Sequence, residues 1–141
     1  MKRILGTDRV ANVLLVGVGN LGRALLSFRG FSKRGFEVVA AFDNDADKVG
    51  QLIEGPRPLR VQPLDEMGEV VKAQSIRVGI LTVPASAAQA AADFMAEAGI
   101  RAILNFAPVR LQVSASLAIS SVDLAVHLEQ LSFQLSGGLE R

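Results

Sequence analysis

Short apolar runs alternate along the chain with segments whose apolar residues recur at helical spacing. Residues 12–18 read NVLLVGV, a continuous apolar stretch of the kind found in strands buried on both faces. Residues 20–28 have helical spacing, residues 36–42 (FEVVAAF) form a second buried strand, and residues 45–53 fit a short helix. The proline-flanked piece Pro56-Arg57-Pro58-Leu59-Arg60-Val61 suits only a short edge strand. A small amphipathic helix is expected over residues 64–73, started by Asp65 and Glu66, then a strand over residues 78–83 that Pro84 ends. An alanine-rich helix follows over residues 85–98, with Gly99 at its C-terminal stop. Residues 102–106 (AILNF) form a further strand, and residues 117–120 a weaker last one. Strands alternating with helices predict an α/β fold, a doubly wound parallel sheet in the order 3-2-1-4-5-6 with right-handed crossovers.

The final helix, over residues 121–136, departs from the single-stripe pattern. Leu124, Leu128, Leu131 and Leu135 make one apolar stripe; Val122, Val126 and Phe133 make another on a different side. A helix docked on one surface needs only one stripe. Two predict burial on both sides, as in a helix inserted between subunits; the alternative is a terminal helix on its own sheet with some apolar exposure.

Composition narrows the chemistry. The chain has 141 residues, half of them hydrophobic and 21% charged, which suits one packed domain and excludes a disordered chain. The net charge is +1, and the sequence shows no basic stripe of the kind that grips nucleic acid. There are no cysteines, so disulfides, thiol chemistry and thiolate metal ligands are excluded. No apolar run approaches the roughly 20 residues of a membrane span, and Thr7, Asp8 and Arg9 interrupt the opening before any signal-peptide core forms. A soluble, cytoplasmic protein is the expectation, with no metal site.

The strongest motif is Gly17-Val18-Gly19-Asn20-Leu21-Gly22, set between the first strand and the first helix. A lone GxGxxG is weak, but this one lies in strand–turn–helix context. Gly17 would make the tight turn, Gly19 would let a pyrophosphate approach the backbone, and Gly22 would let helix and strand pack closely. The helix N-terminus then offers free N–H groups to phosphate. Asp43 ends the second strand about 20 residues further on, where a carboxylate accepts the adenosine ribose hydroxyls and repels a 2′-phosphate. Its alternative role is a cap or turn within Asp43-Asn44-Asp45. Together these residues predict a Rossmann sheet that binds NAD(H) rather than NADP(H). Lys48 is expected to be solvated rather than to reach the adenine side.

Two other strand ends face the same crevice: Thr82-Val83-Pro84-Ala85, toward the phosphates or nicotinamide ribose, and Asn105-Phe106-Ala107-Pro108, toward the nicotinamide. As isolated tetrapeptides both are ordinary strand exits. Catalytic residues are not expected. A hydride-transfer enzyme needs an acid/base near its substrate, and the one histidine, His127, falls in the apolar last helix, where a partly buried position is expected. Binding without turnover follows. The rivals are a small NAD-dependent oxidoreductase, a CoA-binding Rossmann domain, and a dimerisation module without a cofactor.

The segments LLVGVGNLGRALL, AFDNDADKVG, ILTVPASAAQ, ILNFAPVRLQV and VDLAVHLEQLSF, in this order, closely resemble successive blocks of the Rex family of redox-sensing transcriptional repressors. The resemblance spans residues 12–133. It implies that the chain corresponds to the family's C-terminal NAD(H)-binding domain, without the N-terminal winged helix that contacts operator DNA. Residues 1–11, including Lys2-Arg3-Ile4-Leu5-Gly6, would be a linker remnant, residues 12–120 the Rossmann domain, and residues 121–141 a helix exchanged across a homodimer. Gly17, Val18, Gly19, Asn20, Leu21 and Gly22 would hold the pyrophosphate and Asp43 the ribose. Thr82, Val83, Pro84, Asn105, Phe106, Ala107 and Pro108 would line the nicotinamide half. Asp123 and Leu124 would approach the partner's nicotinamide pocket. Relatives often carry Tyr at the position of Phe28, which has no hydroxyl to offer an acid such as Asp123. The implied function is a population shift: a dimer whose geometry follows the NADH/NAD+ ratio.

Overall fold

The computed structural model describes residues 10–136; residues 1–9 of the expected 1–11 linker and the last five residues lie outside it. Seven strands form one sheet in the order β3-β4-β2-β1-β5-β6-β7. They are β1 (Ala11–Val16), β2 (Phe36–Phe42), β3 (Leu52–Ile53), β4 (Leu59–Gln62), β5 (Val78–Leu81), β6 (Ala102–Asn105) and β7 (Ala118–Ser121). All neighbours pair in parallel except β3, which runs antiparallel to β4. Without β3, the order is the expected doubly wound 3-2-1-4-5-6, with its crevice at the reversal between β1 and β5.

The strands alternate their side chains between two cores. Leu14, Val16, Ala40, Phe42 and Ile103 pack under α3 (Met67–Gln74) and α4 (Ala85–Ala98) through Met67, Val71, Ala88, Ala92 and Met95. Val13, Leu15, Ala41 and Ile80 face the other side with Leu26 of α1 (Asn20–Ser27), joined by Phe31 of the short α2 (Gly30–Lys33). The pairing of β1 with β2 slips between Val13 and Leu14, so Val39 has no partner there and falls in the same core as Ala40. A three-residue turn of 3-10 helix (Leu64–Glu66) leads into α3, and Gly99, at φ +110°, ends α4 in the left-handed region.

Two sequence expectations fail around β3. Residues 45–53 are not a helix: residues 46–50 form turns, and Leu52–Ile53 is a strand. The aspartates take over the backbone. Asp43 Oδ1 accepts the Asp45 N–H and Asp45 Oδ1 accepts the Asp47 N–H, both at 2.9 Å, and the Asp45 carbonyl closes a single turn with Lys48 and Val49 that does not continue as a helix. Gly50 then turns the chain at φ +93°, and its N–H reaches the Val61 carbonyl at 2.8 Å. The proline-flanked strand β4 is consequently not the edge, since β3 lies outside it.

The last helix, α5 (Leu124–Leu135), has no buried residue in the single chain. Leu128 is 66% exposed and Leu135 87%. His127 is exposed rather than partly buried. The sheet face on the α1 side is incompletely covered as well. Ala102 and Leu104 of β6 are only half-buried, whereas Ile103 and Asn105, on the opposite face, are buried. Parallel sheets are normally covered on both faces.

Candidate functional site

The glycine turn stands where β1 meets α1, at the C-terminal edge of the sheet. Its three glycines answer to three different constraints. Gly17 has φ +103°, and a Cβ there would lie 2.8 Å from the backbone carbonyl of Thr82. Gly22 has no room either, because a Cβ would stand 2.1 Å from the Gly17 oxygen. Gly19 is different: it is extended (φ −91°, ψ −155°), and a Cβ would meet no protein atom within 4 Å. Neither the backbone nor its neighbours demand glycine at that position. The free space above it is what a pyrophosphate would take. Helix α1 starts there with no side-chain cap and no acidic residue in its first turn, so its first N–H groups and positive dipole end face the cleft.

Side chains from the neighbouring strand ends hold this turn. Asp43 Oδ2 accepts the Val18 N–H at 2.8 Å while Oδ1 accepts Asp45 N–H, so the carboxylate serves as a turn aspartate and also braces the glycine loop. The Thr82 hydroxyl donates to the Gly17 carbonyl at 2.6 Å, and the Thr82 N–H to the Val16 carbonyl at 2.9 Å. Both side chains keep lone pairs for a ligand. Neither is free in the sense the sequence suggested.

A cleft of about 570 Å³ opens over these groups, lined by Gly17, Gly19, Leu21, Asp43, Thr82 and Val83, and bounded also by Pro84, Phe106 and Lys48. That volume is in the usual range for small-molecule and cofactor sites. Lys48 thus sits at the cleft rather than out in solvent. Val18, Asn20 and Gly22 do not line the cleft: Val18 and Gly22 are buried, and Asn20 is exposed. A smaller apolar recess of about 160 Å³ adjoins Asp43, walled by Leu64, Val83, Ala87, Ala91 and Phe94. Sequence reasoning missed this recess, although alanines at positions 87, 90 and 91 gave a helical small-residue signal for it.

The nicotinamide-side residues divide. Phe106 lines the main cleft, while Ala107 and Pro108 line a second one of about 490 Å³ that continues to Ser121, Val122 and Asp123. Asn105 is not in either. It is fully buried, and its amide is engaged with the loop that follows it rather than turned to a cleft. Leu124 is exposed at the start of α5, whose cap is Asp123: Oδ1 accepts the Ala125 and Val126 N–H groups at 3.1 and 3.2 Å. Phe28 is exposed and packs edge-on against Phe31, with ring centroids 4.9 Å apart. No cluster of metal-ligating side chains occurs among the described residues.

Residues 8–109 match the family of CoA binding domains. The chain belongs to the CoA-binding domain family. Within reach of that family, the Rex resemblance holds along the chain: it is 46% identical over 134 residues to the redox-sensing transcriptional repressor Rex of Desulforamulus reducens, covering 95% of this chain and 62% of the relative. The chain therefore spans about three fifths of the length of the curated relatives it matches. Its fold is that of RSP, a Rex-family repressor. The crystal structure of RSP with beta-NADH superposes with a TM-score of 0.85 at 32% identity, over 96% of this chain and 64% of RSP. The complex of RSP with beta-NAD+ and operator DNA gives 0.84 at 33% identity, over 96% and 61%. The solved structures that this member of the CoA-binding domain family resembles thus include complexes with both forms of a nicotinamide dinucleotide.

Proposed function

We propose that this chain is the NAD(H)-binding regulatory domain of a redox-sensing transcriptional repressor, and that it binds without turnover. The observation that carries the reading is the pairing of an open Gly19 with an Asp43 carboxylate tied to the same loop. Together they offer phosphate-binding amides on one side and a ribose acceptor on the other. The pyrophosphate would lie on residues 17–22, the adenosine ribose against Asp43, the adenine in the recess of Leu64 and Phe94, and the nicotinamide toward Phe106, Ala107 and Pro108. When bound, the cofactor supplies a ring that is neutral as NADH and cationic as NAD+. All else being shared, discrimination has to arise at that ring, and an apolar surround favours the neutral form.

The reading includes a homodimer that exchanges α5. The helix exposes two apolar stripes, and the β6 face around Ala102 and Leu104 lacks part of its cover. A second copy's helix complements both, since burying each Leu or Phe contributes about 1.5–3 kcal/mol. Leu124 and Asp123 would then stand near the partner's nicotinamide, and the ring's charge would bias the dimer geometry. Contact with operator DNA would belong to the part of the longer relatives that lies outside this stretch. No described helix is long and apolar enough to cross a membrane, and a cytoplasmic site of action belongs to the same reading.

A second reading, CoA as the ligand, is favoured by the family's own description. Calorimetric titration with NADH, NAD+, NADPH and CoA separates the two. The proposal expects NADH to bind tightly and NADPH and CoA at least about tenfold more weakly, a difference of about 1.4 kcal/mol. Equal binding of NADH and NADPH removes the ribose role of Asp43; preference for CoA overturns the dinucleotide reading.

A further inference from the structure

Asn105 is the one polar side chain that is buried among the described residues. Its Oδ1 accepts the Ala107 N–H at 2.9 Å. Its Nδ2 lies 3.2 Å from the carbonyls of both Ala107 and Val109 and 3.4 Å from the Ser121 hydroxyl. Its own backbone carbonyl accepts the Val122 N–H at 2.8 Å. One residue is thus bonded to the loop that forms a wall of the cleft and to the last residues of β7. The next residue, Asp123, caps α5. A buried amide has to satisfy its donors and acceptors or it destabilises the fold. Here all of them are used to fix the relative position of two segments, adding a side-chain link to the backbone bond between Asn105 and Val122 that an apolar side chain of the same size would not provide.

The second cleft shows what this linkage separates. Ala107, Pro108, Val109 and Arg110 form one wall, and Ser121, Val122 and Asp123 form another. A group entering from the Phe106 side meets the first wall, and the second wall is the root of α5. We propose that Asn105 is a positioning residue that joins the Ala107–Val109 loop to the β7–α5 corner, so that occupancy at the loop is transmitted to the root of α5 through its amide. This rests on the reading that a dinucleotide extends its nicotinamide end to Phe106 and Pro108. Asn105 itself touches no ligand. Its effect comes from holding two segments to one strand end.

Amide hydrogen exchange with saturating NADH tests this on the whole chain. In the wild type, NADH should slow exchange at the amides of this loop, Ala107 and Val109, and of residues 122–126 together, by about fivefold or more, the lower range of ordinary coupling between sites. Asn105→Asp keeps the shape and Oδ1 but turns an oxygen toward the Ala107 and Val109 carbonyls. Ser121→Ala, at an exposed position, removes only the side-chain contact of Asn105 to β7 and preserves the fold, the backbone bond to Val122 included. In both variants residues 107–109 should still slow with NADH, while 122–126 return toward the ligand-free rate. Undiminished protection of 122–126 in Ser121→Ala, or in a folded Asn105→Asp, overturns the proposal, as does a wild type in which 107–109 slow alone. Absence of any protection at residues 17–22 would instead sink the dinucleotide reading. The joint is then decided without ligand: Asn105→Asp should speed exchange at Ala107 and Val122 together, and a rise at Ala107 alone contradicts it.

Discussion

Asp43 reaches from the end of β2 to the glycine turn and accepts the backbone N–H of Val18 at 2.8 Å. The acid proposed to read the ribose therefore also sets the shape of the loop proposed to hold the phosphates. Two functions that the sequence treats as separate motif positions share one carboxylate.

The consequence is that Asp43 resists exchange even by its closest isostere. Asparagine can accept one of the two N–H groups, but then presents its own NH2 to the other. Asp43→Asn should lower ligand-free stability by about 1–3 kcal/mol, the cost of an unsatisfied donor beside a lost charged hydrogen bond. NADH affinity should fall at least about tenfold, and strong NADPH binding should not appear in its place. Thermal denaturation without ligand and calorimetry with it check the two parts. An unchanged ligand-free melting temperature would show that the tie to Val18 carries no weight.

The glycines of the turn should separate by assay. Gly22→Ala places a methyl 2.1 Å from the Gly17 oxygen and should unfold or strongly destabilise the chain, by several kcal/mol. Gly19→Ala meets no protein atom and should leave the melting temperature of the free protein nearly unchanged while weakening NADH binding. A Gly19→Ala variant that binds NADH like the wild type would move the pyrophosphate elsewhere.

For α5, the expected outcome is a dimer in solution at micromolar concentration by light scattering. Leu128→Lys with Leu131→Lys, on the exposed stripe, should give monomers or markedly weaker association, since each Leu buried in the pair contributes about 1.5–3 kcal/mol. An intact chain that is monomeric with NADH bound would dispose of the helix exchange and of any sensing across subunits.

The cap of α5 gives a smaller, sharper measurement. Asp123 is its N-cap, and Asp123→Ala should reduce stability by about 0.5–2 kcal/mol, whereas Asp123→Asn should lose much less. Equal losses in the two variants would mean that the carboxylate charge, not the cap geometry, is what matters there.

Much of this protein could be read from the chain alone, because its strongest signals are local. The runs at residues 36–42 and 85–98 became β2 and α4 with the same bounds, since strand burial and helical alanine content act over a few neighbours. The order of the parallel strands followed from right-handed crossovers, and the glycine turn from its strand–turn–helix context. What the sequence could not decide depended on contacts between distant residues. Residues 45–53 have helical composition, but Gly50 and Gln51 bond to Val61, and a strand pairing won over a local preference. Asp43 was legible as an acid at the right distance; that it braces Val18 required the loop to be folded beside it. Asn105 read as a residue pointing toward a ligand, whereas its position on the buried face of β6 turned its amide inward to Ala107, Val109 and Ser121. The two stripes of α5 were plain in the sequence. Which surface covers them was not, because a helix pattern records only that apolar area needs a partner, and the partner is set by the three-dimensional arrangement of everything else.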